Sequence, residues 1–553
     1  MSCYHKGTGL PTNIIDLSQL DYIKSECPIK DGACQFCQEI RTAEEDVEAA
    51  ITRLKETLNR HQRLKTQINH RHSPTIRDLP VEILSKIFYS CFSAEMREGG
   101  GEPTYEDSFV PLRIGAVCRT WRQIAWASPE LWTVIFMKRL YSSASHTCKQ
   151  YEIIEGWIER SGALPLYVYL EEDAEPPRDK RVVPGGCNDC WELCLQLLSK
   201  CCETWEVASL DLSLRSFFHV AYRVKVKPPT RRLALHSADE DWFPATDDTN
   251  RGIKLCQDSS LAPQEISINY PIRLRHVNID WHGMAHIHVQ GWPPGECINL
   301  LRDVPHLESC SFIEVGDLSE TEMLTVHGGP VIPICHKSLK YLNFQCNKSP
   351  ATFFDQVTLP SLEELDYSYI FPEEALHSTY LQEFFARSHC PLKSLSLHVG
   401  QLNPTEYLIT ILYLIPSLVH LTLISSSAFT WSPQESIQNH LLTHLAKTAS
   451  SCRTEGADNF LPRLEALELG YLSRHSPDWS SISDVFGDPS ELRRGERRPF
   501  RSVVIDTYRP DPVTDLPEDV VTRLVKLQEA GAEIAFRVKS AYDHGVVVPV
   551  KWA

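Results

Sequence analysis

LPSLEELDY, residues 359–367, decides how the larger part of this chain is read. Leu359, Leu362, Leu365 and Tyr367 follow the spacing LxxLxxLxL. Its last apolar residues alternate with polar ones, the pattern of a strand with one buried face. The spacing returns in IPSLVHLTL (415–423) and LPRLEALEL (461–469). Shorter copies are Val207/Leu210/Leu212, Thr230/Leu233/Leu235, Leu274/Val277/Ile279, Leu307/Cys310/Phe312, Leu339/Leu342/Phe344 and Leu392/Leu395/Leu397. Between copies lie stretches with helical periodicity: CINLLRDV, TYLQEFFARSH, EYLITILYLI and IQNHLLTHLAK.

A strand and a helix in each unit, with the apolar edge buried only against the next unit, is the pattern of leucine-rich arrays. The steps are uneven, from 23 residues (Val207 to Thr230) to 46 (Leu418 to Leu464), and the consensus asparagine is mostly missing. A plain α/β domain with several parallel strands would produce the same alternation. If the triplets point inward, their neighbours point out. On that reading His276, Asn278, Asp280, Tyr341, Asn343, Gln345, Glu364, Asp366, Ser368, Ser394, Ser396, His398, His420, Thr422 and Glu468 form a polar face without Lys or Arg. Asn278, Asp280, Asn343, Gln345, Glu364, Asp366, His398, His420 and Glu468 are its candidate substrate contacts, suited to an extended or basic protein. A helix at PEDVVTRLVKLQEAGAEIAFRV, ending at Gly531, leads into a last strand and closes the array.

Upstream, TIRDLPVEILSKIFYSCF (75–92) and VPLRIGAVCRTWRQIAWASPELWTVIF (110–136) read as two short amphipathic helices. Pro80 suits a first helical turn, with Asp78 as cap. The interruption SAEMREGGGEPTYEDSF reads as a solvated loop. A helical pair of this size needs a further surface to bury its apolar residues. The spacing LPxEIL..IF, then PL....VC..WR..A...P.LW, resembles the F-box, the module that docks on the small adaptor of cullin-based ubiquitin ligases. The resemblance covers residues 75–136. It implies adaptor contacts at Leu79, Pro80, Glu82, Ile83, Leu84, Ile87, Phe88, Val117, Cys118, Trp121, Leu131 and Trp132, and it implies a cullin as further partner. It also implies a downstream domain holding a protein substrate, with no catalytic residue of its own.

Residues 38–70 carry an apolar stripe (Ile40, Val47, Ile51, Leu54, Leu58 and Ile68) with His61 upon it. Spacing near seven predicts a short coiled coil, self-associating or lying on a neighbour. Such a helix ahead of the F-box, and the phrase WIERSGALPLYVYL (157–170), also resemble mushroom-type fungal F-box proteins.

The expected organisation is therefore α/β, with an N-terminal helix and an all-α F-box followed by an irregular leucine-rich-repeat-like solenoid. Its parts are a loosely ordered segment 1–37, the helix 38–72 and the F-box 75–136. Connecting helices with a first strand (137–200), the repeat domain 201–540 and a tail 541–553 complete it.

Other chemistry finds little footing. A net charge of −17 over 553 residues disfavours nucleic acid as partner. YLITILYLIPSLVHLTLI (407–424) lacks Asp, Glu, Lys and Arg, but Pro416 divides it into a short helix and a strand, so no membrane span is expected. Nineteen cysteines without a signal-peptide pattern read as reduced thiols of a cytoplasmic or nuclear protein. Cys34 and Cys37, with Cys27 upstream, could share a zinc ion with Cys187 and Cys190, or Cys187, Cys190, Cys194 and either Cys201 or Cys202 could close on one by themselves, yet Cys194 and Cys201 lie on an apolar helical pattern. His276, His282, His286 and His288 leave a metal-dependent enzyme as one rival reading. A leucine-rich scaffold without any ligase role is another. GxSxG, GxxxxGK[ST] and GxGxxG are absent, and no cofactor is implied.

Overall fold

The structure is a computed structural model. It describes residues 34–72, 79–97, 104–139, 150–172, 188–213, 216–217, 220, 230–237, 262–269, 272, 277, 279–316, 333–347, 349–369, 379–399, 406–425, 437–449, 460–471, 479–490, 497–507 and 518–538. The chain divides into two compact units, Met1–Lys86 and Ile87–Ala553, and the boundary falls inside a helix, α2 (Val81–Arg97).

In the first unit α1 (Gln35–His72) runs for 38 residues, about 57 Å at 1.5 Å per residue. Thr42, Thr52, Thr57 and Thr66 each turn their hydroxyl back onto the carbonyl four residues earlier, at 2.8–3.0 Å, so none competes with the helix. Pro80 precedes α2, and its carbonyl accepts from the amides of Ile83 (3.0 Å) and Leu84 (3.1 Å).

The second unit continues with α3 (Val110–Val117) and α4 (Arg119–Trp126). The expected single helix over the second motif block is thus two. Cys118 is extended (φ −157°, ψ 172°), and its Sγ accepts from the Trp121 amide at 3.4 Å, capping α4.

Sixteen strands follow among the described residues: β1 (Val134–Arg139), β2 (Leu166–Glu172), β3 (Trp205–Leu212), β4 (Arg232–Ser237), β5 (Glu265–Asn269), β6 (His286–Gln290), β7 (Ser309–Val315), β8 (Ile334–Cys335), β9 (Tyr341–Cys346), β10 (Val357–Thr358), β11 (Glu364–Tyr369), β12 (Ser394–Val399), β13 (His420–Ser425), β14 (Ala466–Tyr471), β15 (Ser502–Thr507) and β16 (Glu533–Val538). Fourteen of them make one sheet in strict chain order, while β8 and β10 pair separately. Every pairing is parallel. The intervening helices are α5 (Gln150–Ser161), α6 (Asn188–Lys200), α7 (Pro294–Asp303), α8 (Ala351–Phe354), α9 (Tyr380–Ser388), α10 (Glu406–Tyr413), α11 (Ile437–Thr448), α12 (Trp479–Phe486) and α13 (Glu518–Glu529).

Right-handed crossovers between strands laid down in chain order keep the helices on one face of a sheet. Consecutive helices accordingly pack on one another: α5 on α6, α8 on α7 and α9, α9 on α10, α11 on α12 and α12 on α13. Beneath them the leucine positions form continuous ladders. Leu342 lies in register with Cys310 and Leu365, and the rung continues through Leu395, Leu421, Leu467 and Val503. The parallel ladder is Phe312, Phe344, Tyr367, Leu397, Leu423, Leu469 and Ile505, and all of these side chains are buried. Gly531, with φ +104°, turns the chain from α13 into β16.

Several expectations need correcting. Leu210 pairs with Leu235, so Ala208 and Leu210 occupy the ladder rungs, and the Val207 triplet is displaced by one rung. Val277 and Ile279 form isolated bridges; the strands there are β5 and β6, with Ile266/Ile268 and Ile287/Val289 inward. Residues 137–200 hold α5, β2 and α6, and β1, which begins at Val134, and β2 both belong to the sheet. The 407–424 stretch is divided as expected, into α10 and β13. No described helix is long and apolar enough to cross a membrane. Of the loosely ordered segment expected at 1–37, residues 1–33 lie outside the described residues and α1 already begins at Gln35; the tail expected at 541–553 lies outside them as well.

Candidate functional site

The motif residues separate by burial. Leu84, Phe88, Leu131 and Trp132 are interior. Phe88 lies against Trp121, ring centroids 4.9 Å apart. Trp132 donates its Nε1 hydrogen to the Ala125 carbonyl at 2.8 Å and meets Trp126 and Trp157 edge-on at 5.2 and 5.1 Å. The Arg160 guanidinium lies 5.0 Å from its ring centroid. Leu79 and Trp121 are half-buried, while Pro80, Glu82, Ile83, Ile87, Val117 and Cys118 are exposed. Along α2 the large apolar residues Val81, Ile83, Ile87 and Tyr89 are 41–57% exposed, and Val117 at the end of α3 is 62% exposed. Gly115 is needed in this motif, since a β-carbon there would collide with the Trp126 ring.

The face opposite the helices brings most of the expected substrate positions together. One row is Tyr341, Glu364, Ser394 and His420; the next is Asn343, Asp366, Ser396, Thr422 and Glu468; Gln345, Ser368 and His398 make a third. Burial, then the carboxylates of Asp366 and Glu364, push the Tyr341 phenol above its ordinary range. One expected position falls outside these rows and another has a basic partner. Asp280 is not in the row, since it caps the turn Trp281–Gly283 by accepting from the His282 amide at 3.2 Å. Glu468 is neutralised by Arg537, 3.3 Å away, which enters the face from β16. His276 and Asn278 lie outside the described residues.

A second feature of this face was not legible in the sequence. Tyr105, in what read as a solvated loop, sits edge-on to Phe136 (5.8 Å) and Phe109 (4.9 Å), while Phe136 stacks on Tyr169 at 6.1 Å. A cleft of about 710 Å³ lies between residues 104–106 and the outer side of β1–β4. Glu106, Lys138, Glu171, Asp211 and His236 contribute its polar lining. Lys138 and Glu171 form an ion pair.

The histidines divide. His286 and His288 share the outer face of β6, where burial and Arg232 lower the pKa of His288. His282 points into solvent from the neighbouring turn, 2.8 Å from Asp280. Among the described residues no three His, Cys, Asp or Glu side chains come together as a metal site. Cys194 is interior, and burial raises the thiol of half-buried Cys201 to about 11. Cys27 and Cys187 lie outside the described residues.

Compared with known proteins, the chain matches no family model and no curated sequence.

Proposed function

We propose that this protein is the substrate-recognition subunit of a cullin-based ubiquitin ligase. It would dock on the ligase adaptor through an F-box and hold a protein substrate on a leucine-rich-like array. The observation carrying this reading is the division of α2 into buried Leu84 and Phe88 and exposed Val81, Ile83, Ile87 and Tyr89. Half-exposed branched side chains on one short helix hold unspent burial energy, which a partner surface can take up. Val117 and Cys118, exposed where α3 gives way to α4, are further contacts on this reading. Leu131 and Trp132 then anchor the module to the first strand instead of touching the adaptor.

On the substrate side, the outer sheet face offers Tyr341, Asn343, Glu364 and Asp366 on adjacent strands at the centre of the array. A rigid parallel sheet with paired carboxylates suits a basic or extended protein segment. Ubiquitin transfer is left to other subunits.

Co-purification tests both halves. Ile83→Asp with Ile87→Asp should lose adaptor and cullin while keeping substrate-like partners. Glu364→Lys with Asp366→Lys should keep adaptor and lose a subset of the others. Retention of adaptor by the first variant, at unchanged melting, would remove the basis for the assignment.

A further inference from the structure

The seam of α1 has an occupant written in its charges. Ile40, Val47, Leu54 and Ile68 recur at multiples of seven, with Ile51 and Leu58 placed between them at offsets of four and three. That three–four alternation commits a helix to supercoil with a partner of similar length. Ile40, Val47, Leu54, Leu58 and Ile68 are 41–53% exposed. Among the described residues the next longest helix has 17 residues, against 38 in α1, so none there can cover the seam along its length.

The two halves of α1 carry opposite charge. Residues 35–53 hold five acids (Glu39, Glu44, Glu45, Asp46, Glu48) and two bases (Arg41, Arg53), or 2 − 5 = −3. Residues 54–72 hold five bases (Lys55, Arg60, Arg63, Lys65, Arg71) and one acid (Glu56), or 5 − 1 = +4. A parallel pair would set acid against acid and base against base. An antiparallel pair of identical helices sets each acidic half against a basic one.

We propose that α1 pairs antiparallel with α1 of a second copy of this chain. The register that overlaps the two helices almost fully places Ile51 opposite Leu54 of the second copy and Leu58 opposite its Val47. The same register sets Glu44 opposite the other copy's His61, so these two polar interruptions of the seam meet, while Lys65 falls opposite Ile40 near the end of the pair. On its flank Glu48 meets Lys55 of the second copy, twice by symmetry. Ala43, Ala50 and Thr57, on the other flank, let the backbones approach. Like charges facing one another in the parallel arrangement supply the discrimination against it.

The test uses the full chain and needs no adaptor, so its outcome is separate from that of the ligase reading. Light scattering and sedimentation equilibrium of the unaltered protein should give twice the 63.0 kDa chain mass. Glu48→Lys and Lys55→Glu, each alone, turn both flanking pairs repulsive and should weaken the dimer about tenfold. An equimolar mixture of the two variants forms a heterodimer in which both pairs are attractive again, and association should return to within about threefold of the original. Leu54→Asp with Leu58→Asp should give a monomer whose sheet melts as before. A monomeric unaltered protein at tens of micromolar, a dimer untouched by Leu54→Asp with Leu58→Asp, or a mixture as weak as the single variants would each overturn the proposal.

Discussion

Phe344→Ala tests the packing from which the sheet assignment follows. Phe344 is fully buried on β9. Its ring stacks on Phe353 at 4.5 Å, meets Phe354 edge-on at 5.1 Å, and has Phe312 and Tyr367 at 6.4 and 6.5 Å on the flanking strands. Truncating a buried Phe costs about 3–5 kcal/mol, and each aromatic pair adds about 0.5–1.5 kcal/mol beyond its area. The neighbours belong to β7, β11 and α8, which are fixed by their own pairings and cannot collapse into the space. The loss should therefore lie at or above about 4 kcal/mol. Tyr341→Ala, three residues earlier on the outer face, should cost no more than about 1 kcal/mol. Equilibrium urea unfolding followed by circular dichroism measures both. A Phe344→Ala cost below about 1 kcal/mol, or equal costs for the two variants, would refute the assignment of inner and outer faces.

Three further outcomes follow from the same geometry. Gly115→Ala drives a methyl against the Trp126 ring, so it should lower stability by about 1–3 kcal/mol, read as a fall in melting temperature; an unchanged melt contradicts the tight helix crossing. Buried His336 donates from Nε2 to the Val304 carbonyl at 2.8 Å and accepts the Leu339 amide on Nδ1 at 3.2 Å, and burial holds its pKa below the ordinary value near 6.5. The unfolded chain takes up the proton that the folded one refuses, so this contribution is present above about pH 6.5 and is lost as pH falls below it. His336→Asn should flatten that part of the melting profile between pH 7.5 and 5.5; an identical slope would show that His336 does not titrate on unfolding. Glu364→Lys with Asp366→Lys removes two carboxylates that raise the Tyr341 phenol and should lower its pKa in ultraviolet titration against a Tyr341→Phe control; no change would separate the three residues in space.

The ladders from β7 to β14 were legible because a leucine at the preceding turn, 0% exposed at Leu339, Leu362, Leu392, Leu418 and Leu464, marks each strand beside its two-residue alternation. β15, SVVIDT, lacks that leucine, and β2, LYVYLEE, is buried on nearly every residue, so neither shows a clean alternation. Tyr105 reached its place through Phe136, 31 residues on, a contact that no local pattern encodes. The motif residues of the F-box resemblance could be named from spacing, whereas burial alone decides which of them face water. Cys118 shows the limit of periodicity: it fits the helical spacing yet breaks the helix, because its side chain caps the next one.

The most direct measurement is a titration of the purified full chain with the purified ligase adaptor. Fully burying an Ile side chain gives about 1.5–3 kcal/mol, so Ile83 and Ile87, 42% and 41% exposed, offer about 1–2.5 kcal/mol together. Aspartates in their place also put two carboxylates against the partner. A complex at micromolar affinity or tighter is expected, weakened at least about tenfold by Ile83→Asp with Ile87→Asp while melting is unchanged. No binding by the unaltered chain, or equal binding by both proteins, would contradict the proposed docking.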